Sequence, residues 1–138
     1  MSGAIVLGYD ASPGAGKALN TAVELAQRFG ARLVIANGVD PPGTPGEETR
    51  AHRKALEGSA QNLMDNALDQ ARDAGVSTDI EIVPLRPAEA LLQVAERHDA
   101  RFIVVGGWGE GPLKGALLGS TAYKVLHLAD RPVVVVQG

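Results

Sequence analysis

Short apolar runs alternate along this chain with stretches whose apolar residues recur every three or four positions. Ala4–Leu7 is the first run, and it ends in Gly8, Tyr9 and Asp10. Ser12 and Pro13 then read as a helix start, a capping hydroxyl followed by proline in the first turn. Leu19, Ala22, Val23 and Ala26 fall on one helical face, and Gly30 is a natural stop. Leu33–Ala36 reads as the second strand. Asp40 to Gly46, rich in proline and glycine, reads as a loop. Leu56, Ala60, Leu63, Ala67 and Ala71 line one face of a long second helix that Gly75 closes. Ile80 and Ile82 alternate with Asp79 and Glu81, which predicts a strand exposed on one side and lying at a sheet edge. Pro87 opens a third helix with Leu91, Leu92 and Ala95 inside. Phe102–Val105 is the fourth strand, and a helix from about Ser120 to Ala129 precedes a last strand, Val133–Val136.

The order β-α-β-α-β-α-β-α-β predicts the α/β class, a doubly wound parallel sheet with helices on both faces. Its valine- and isoleucine-rich runs suit strands buried on both sides. The 138 residues match one ordinary domain, so residues 1–138 are read as a single unit. In such sheets ligands bind beyond the carboxyl ends of the strands, where the strand order reverses. If the first and fourth strands are neighbours, Asp10 and Gly106 face one crevice; periodicity does not decide that adjacency.

Composition narrows the classes. Cysteine is absent, which excludes disulfides and thiolate metal sites. No apolar run reaches the roughly 18 residues of a membrane span, and no basic leader precedes Ala4–Leu7. The expectation is a cytoplasmic protein without a membrane partner. A formal net charge of −3 argues against binding nucleic acid through bulk charge. His52, His98 and His127 lack metal spacing and read as surface or helix-end residues. Glu57, Asp65, Asp69 and Asp73 read as a solvated helix face.

The chemistry concentrates between the fourth strand and the last helix. Most βα loops have about two to six residues, and this one, from Gly107 to Leu118, is about twice as long. It holds Gly107, Gly109, Gly111 and Gly115 and leads to Gly119, Ser120 and Thr121 at a helix start. Glycines let several N–H groups turn toward one anion, and a helix N-terminus adds unpaired N–H groups and partial positive charge. The hydroxyls of Ser120 and Thr121, with the ammonium of Lys114, complete a candidate polyphosphate cradle. The alternative is a glycine-rich surface loop with Ser120 as a plain N-cap. A second candidate, Ala11 to Ala18, approaches G-x4-G-K-[ST] but has Ala11 where glycine is required and Ala18 where the magnesium-binding hydroxyl is required; it reads as a helix start. Asp10 is either a ligand contact or a turn residue that bonds backbone N–H groups.

Gly106-Gly-Trp-Gly109, nine further residues and then Gly119-Ser120 fit G-x2-G-x9-G-[ST]. This resembles the ATP-binding signature of universal stress proteins. Val6 to Pro13, Ala116 to Thr121 and Arg131 to Val136 resemble the family's first strand and turn, last helix start and last strand. The resemblance implies a five-stranded sheet of order 3-2-1-4-5, of the adenine nucleotide alpha hydrolase-like kind. It implies ATP, with or without Mg2+, held by Gly8, Tyr9 and Asp10 beside the adenosine and by main chain near Gly38 against the base. The phosphates would follow Gly106, Gly107, Trp108, Gly109, Glu110, Gly111, Pro112, Lys114, Gly119, Ser120, Thr121 and Ala122. Gly107 and Trp108 stand where many members have Ser-His, and Pro112 removes one N–H from the cradle. The resemblance also implies a homodimer through Val133–Val136, which covers an apolar edge strand. Three functions stand open: a nucleotide-dependent stress-response module, a slow ATPase, and a nucleotide-free interaction dimer. Hydrolysis needs an oriented water and usually a metal; with Asp10 the one clear carboxylate near the cradle, efficient catalysis is hard to build.

Overall fold

The computed structural model describes residues 3–10, 13–39, 50–107 and 118–137. Five strands and four helices alternate: β1 (Ala4–Gly8), α1 (Pro13–Phe29), β2 (Arg32–Gly38), α2 (Arg50–Asp73), β3 (Thr78–Val83), α3 (Pro87–Arg97), β4 (Phe102–Gly106), α4 (Ser120–Leu128) and β5 (Val133–Val136). All four strand pairings are parallel, in the order β3-β2-β1-β4-β5. The expected order is therefore observed, and the polar alternation of β3 correctly places it at an edge.

Two apolar layers sandwich the sheet. On one face α1 and α2 pack on Ile5, Leu7, Leu33, Ile35 and Val104. On the other, α3 and α4 pack on Val6, Val34, Ala36, Ile103 and Val105. Successive residues of β1, β2 and β4 thus enter opposite layers, which is why these strands read as unbroken apolar runs. The valines of β5 are each partly exposed because β5 is the other edge.

Several strands run further than the apolar pattern indicates. Gly8 pairs with Ala36, Gly38 with Val83 and Gly106 with Val136. Neighbouring strands supply ladder partners to these glycines, and pairing outweighs their weak strand propensity. In α2, Met64 is fully buried beside Ala67 and Ala71, whereas Leu63 is only partly buried. At α4 the N-cap is Gly119, in extended conformation, and Ser120 is the first helical residue; the reading of Ser120 as a plain N-cap is corrected accordingly. The Ser12 cap, the Asp40–Gly46 loop and the side chains of His52, Leu56, Glu57 and Ala60 lie outside the described residues. Asp65, Asp69 and Asp73 are exposed as expected.

His98 is the C-cap of α3 and joins three elements. Arg32 on β2 sits 2.9 Å from His98 Nδ1, while Nε2 meets Glu81 on β3, which also binds Arg97. A guanidinium only donates, so Nδ1 accepts and Nε2–H donates to Glu81. His127 stacks on Tyr123 at the exposed side of α4. Neither ring takes part in the cavity described next.

Candidate functional site

A cavity of about 240 Å³ opens at the carboxyl ends of β1, β2 and β4. This is where strand order reverses: β1 continues to β2 on one side, and the chain returns to β4 on the other. The cavity brings together Gly8, Tyr9, Asp10, Gly38, Gly106, Gly119, Ser120, Thr121 and Ala122 among the residues singled out from sequence. Ala15, Ala36, Asn37, Pro87, Leu91 and Val105 complete its lining and were not anticipated. Trp108, Gly109, Glu110, Gly111, Pro112 and Lys114 lie outside the described residues.

The wall on the α3 side is apolar and tightly drawn in. A Cβ on Gly38 would stand 2.5 Å from Leu85 O and 3.0 Å from Pro87 Cα, so the turn before α3 lies directly on the end of β2. A Cβ on Gly8 would stand 2.7 Å from Leu91 Cδ1. These glycines let Pro87 and Leu91 close over the strand ends. Their contact across the sheet, not a turn requirement, explains the residue type.

Hydrogen bonds fix the opposite rim. Tyr9 N–H donates to Ala36 O at 3.1 Å, prolonging the β1–β2 ladder by one residue. Asn37 Nδ2 donates to Tyr9 O at 2.8 Å. The peptide that carries the chain toward Asp10 is thus held at both its neighbouring groups. Asp10 is exposed at the mouth and is the sole carboxylate among the described lining residues. The Gly14–Ala18 segment lies inside α1, with Gly16 and Lys17 exposed, so it forms no phosphate loop.

The third wall is the start of α4. Gly119 N–H donates to Gly107 O at 2.7 Å, and Tyr123 N–H to Gly119 O at 2.9 Å. Between them, the amides of Ser120, Thr121 and Ala122 have no intrahelical acceptor and carry the positive end of the helix dipole. Gly107 itself does not line the cavity: its N–H donates to Val136 O at 2.9 Å. An apolar slot, main-chain polar groups at the strand ends and a helix N-terminus suit a flat heterocycle joined to an anionic group. Among the described residues no cluster of three or more His, Asp or Glu side chains is arranged to hold a metal ion.

Known proteins agree with this architecture. A universal stress protein of Thermus aquaticus is 35% identical over 136 residues, covering 96% of this chain and 97% of its own. The solved structure of hypothetical protein MJ0577, from Methanocaldococcus jannaschii, superposes with a TM-score of 0.86 at 26% identity, over 100% of this chain and 97% of that one. A universal stress protein solved in complex with cAMP has a TM-score of 0.78 at 26% identity, over 97% of this chain and 96% of its own. The universal stress protein family model matches residues 1–137, and the chain belongs to that family.

Proposed function

We propose that this protein is a nucleotide-dependent stress-response module that binds ATP in the cavity at the carboxyl ends of β1, β2 and β4. The observation that carries the reading is the convergence, in one hollow, of an apolar slot and the N-terminus of α4. The base enters between Pro87, Leu91, Ala36 and Val105, against main chain at Gly38. Asp10 and the Gly8–Tyr9 turn meet the ribose. The phosphates run along Gly106 and the Ser120–Ala122 amides, and onward along the signature glycine Gly109 and its loop neighbours Trp108, Glu110, Gly111, Pro112 and Lys114. A relative of the same fold binds a cyclic adenine nucleotide, which supports an adenine ligand. If Mg2+ accompanies the ATP, Asp10 and the phosphates would supply its oxygen ligands.

Hydrolysis would need an oriented water and usually a metal, whereas the parts brought together here are main-chain groups and an apolar slot, which favours binding over turnover. The protein would act as a homodimer through the free edge of β5. Tyr123, Leu126 and Leu128 on α4, exposed by 54%, 45% and 66%, add apolar surface on the helix that packs beside that strand. No helix among the described residues is long and apolar enough to cross a membrane; the protein is proposed to act in the cytoplasm, without nucleic acid or membrane partners.

The test is to denature purified protein, assay the supernatant for nucleotide, and titrate ATP, ADP and AMP by calorimetry. Ser120→Asp is the control. A carboxylate in the first turn of α4 favours the helix but repels phosphate, so folding should hold while ATP affinity falls at least tenfold, the effect of losing about 1.4 kcal/mol. Failure of the wild type to bind any of the three nucleotides refutes the reading. Turnover above a phosphate-free background would favour the ATPase alternative. A monomer at micromolar concentration in sedimentation would refute the dimer.

A further inference from the structure

We propose that His98 is a proton-operated switch, which passes the Arg32 guanidinium from the C-terminus of α3 to Asp79 on the edge strand β3. None of these residues lines the nucleotide cavity, so the device is separate from the function proposed above. Its neutral state is the one the structure shows. His98 is the C-cap of α3, and its side chain is only 20% exposed. Arg32 Nη2 on β2 donates to His98 Nδ1 at 2.9 Å. His98 Nε2–H donates to Glu81 on β3, whose other oxygen binds Arg97. A guanidinium has no lone pair to offer, so Nδ1 carries no proton. One ring thus fastens α3 to both β2 and β3.

Protonation undoes that arrangement at one point only. An imidazolium donates from both nitrogens, so Glu81 keeps its bond and gains an opposite charge. Nδ1–H and the guanidinium, both donors and both cationic, would then face each other across the 2.9 Å of the former bond, and Arg32 has to leave. Its next acceptor is already beside it. Nη1 of the same guanidinium lies 3.9 Å from Asp79 Oδ2, and a movement of about 1 Å brings the two to hydrogen-bond distance. Asp79, 68% exposed, can turn to meet it.

Charged groups surround the ring on several sides. Arg32 from β2 opposes the proton, whereas Glu81 from β3 and the carbonyl end of α3 favour it. Arg97 on α3 is engaged by Glu81, and Asp99, next in the chain, pairs with Arg131 at 3.5 Å. On the other face of β3, Arg72 of α2 donates to Thr78 O. Among the described residues, β1, β4 and α4, which also pack on α3, bring no charged side chain into bonding contact with the ring. What the proton changes is therefore the partner of Arg32. α3 loses its tie to β2 and keeps the one to β3, and β2 gains a side-chain link to β3. Imidazoles change charge between about pH 5 and 8, where carboxylates ordinarily stay ionised, so mild acidification is the signal that works the switch.

The test is an NMR titration of the full chain from about pH 8 to about pH 5, following the His98 ring nitrogens, the Arg32 guanidinium and the Asp79 carboxyl carbon. At the alkaline end the ring should carry its proton on Nε2 alone. On acidification the Arg32 and Asp79 signals should shift along the same curve as the His98 ring. His98→Gln is the comparison: its amide oxygen can accept from Arg32 and its N–H can donate to Glu81, as the neutral ring does, but it takes no proton. In that variant the Arg32 and Asp79 signals should hold still. A proton on Nδ1 at the alkaline end, an Arg32 signal that ignores the His98 titration, or the wild-type shift persisting in His98→Gln would each overturn the proposal. Should His98→Gln not fold, Asp79→Ala takes away the receiving carboxylate at an exposed position: a smaller Arg32 shift supports the exchange, and an unchanged shift refutes it.

Discussion

Three glycines line the cavity from three strands, and adding one methyl to each separates what the fold demands from what a ligand demands. Gly38, Gly8 and Gly106 all have φ values outside the left-handed region, so alanine is accessible to the backbone and only contacts differ. At Gly38 the new Cβ meets Leu85 O at 2.5 Å, Arg86 C at 3.0 Å and Pro87 Cα at 3.0 Å. Reaching an ordinary carbon–oxygen contact of about 3.3 Å requires a shift near 0.8 Å. All three opposing atoms are backbone, in a turn pinned by Leu85 N–H to Val83 O at 2.8 Å and Ala90 N–H to Arg86 O at 2.9 Å. Overpacking against such a turn costs about 1–3 kcal/mol. At Gly8 the opposing atoms are the ends of Leu91, at 2.7 and 3.0 Å, and a displaced rotamer costs about 0.5–1.5 kcal/mol. At Gly106 the nearest atoms are Gly14 C and O at 3.4 Å, an ordinary contact. Alanine also restricts the unfolded chain by about 0.4–1 kcal/mol in every case, which cancels in the comparison. The expected order of stability is Gly106→Ala at or above wild type, then Gly8→Ala, then Gly38→Ala. At roughly 3–5 °C per kcal/mol for a domain of this size, Gly38→Ala should melt several degrees below Gly106→Ala. Thermal unfolding followed by circular dichroism measures this. Equal midpoints for Gly38→Ala and Gly106→Ala would show that the turn before α3 does not press on β2, and the account of that wall would fail.

Gly16 is exposed inside α1, and a Cβ there meets nothing within 4 Å, so Gly16→Ala should stabilise the protein by about 0.5–1 kcal/mol and leave ATP binding intact; loss of ATP binding would reinstate a phosphate loop in that segment. Asn37→Ala removes the donor to Tyr9 O and should cost about 1–2 kcal/mol while weakening nucleotide binding through the Asp10 turn; unaltered melting and affinity would count against the latch. Burial, the largest influence on Glu81, pushes its carboxyl up, but the hydrogen bond from His98 and the charge and hydrogen bond of Arg97 together hold it below its ordinary value of 4.5. A carboxyl lowered in the folded state stabilises above its unfolded pKa, and that contribution disappears as pH falls through the folded value. The urea midpoint should therefore drop between pH 6 and about pH 3, and drop less in Glu81→Gln; an identical drop in both would contradict the assignment.

Much of this protein was legible in its residues taken in order. Helical periodicity, the unbroken apolar runs of β1, β2, β4 and β5, and the alternation in β3 located the nine described elements, because burial of one face imposes a period and burial of both faces removes it. The alternation of Ile80 and Ile82 with Asp79 and Glu81 marked β3 as an edge, because only a strand open to water tolerates charges at alternate positions. The glycines and hydroxyls from Gly106 to Thr121 marked a candidate anion cradle, because close approach to an anion needs small residues at a helix start. What local pattern cannot carry is which elements meet. The strand order came from family resemblance and not from periodicity, since the same hydrophobic runs suit several arrangements of a parallel sheet. Pro87 and Leu91 entered the cavity wall only when α3 was seen lying across Gly8 and Gly38. Asn37, 28 positions from Tyr9, became a latch only when β1 and β2 paired. Gly107 showed the difference most plainly: its place in a glycine-rich motif announced a backbone contact, but only the adjacent β5 decided that its N–H would go to Val136. Long-range pairing sets where backbone groups are spent, and no window of neighbouring residues contains that information.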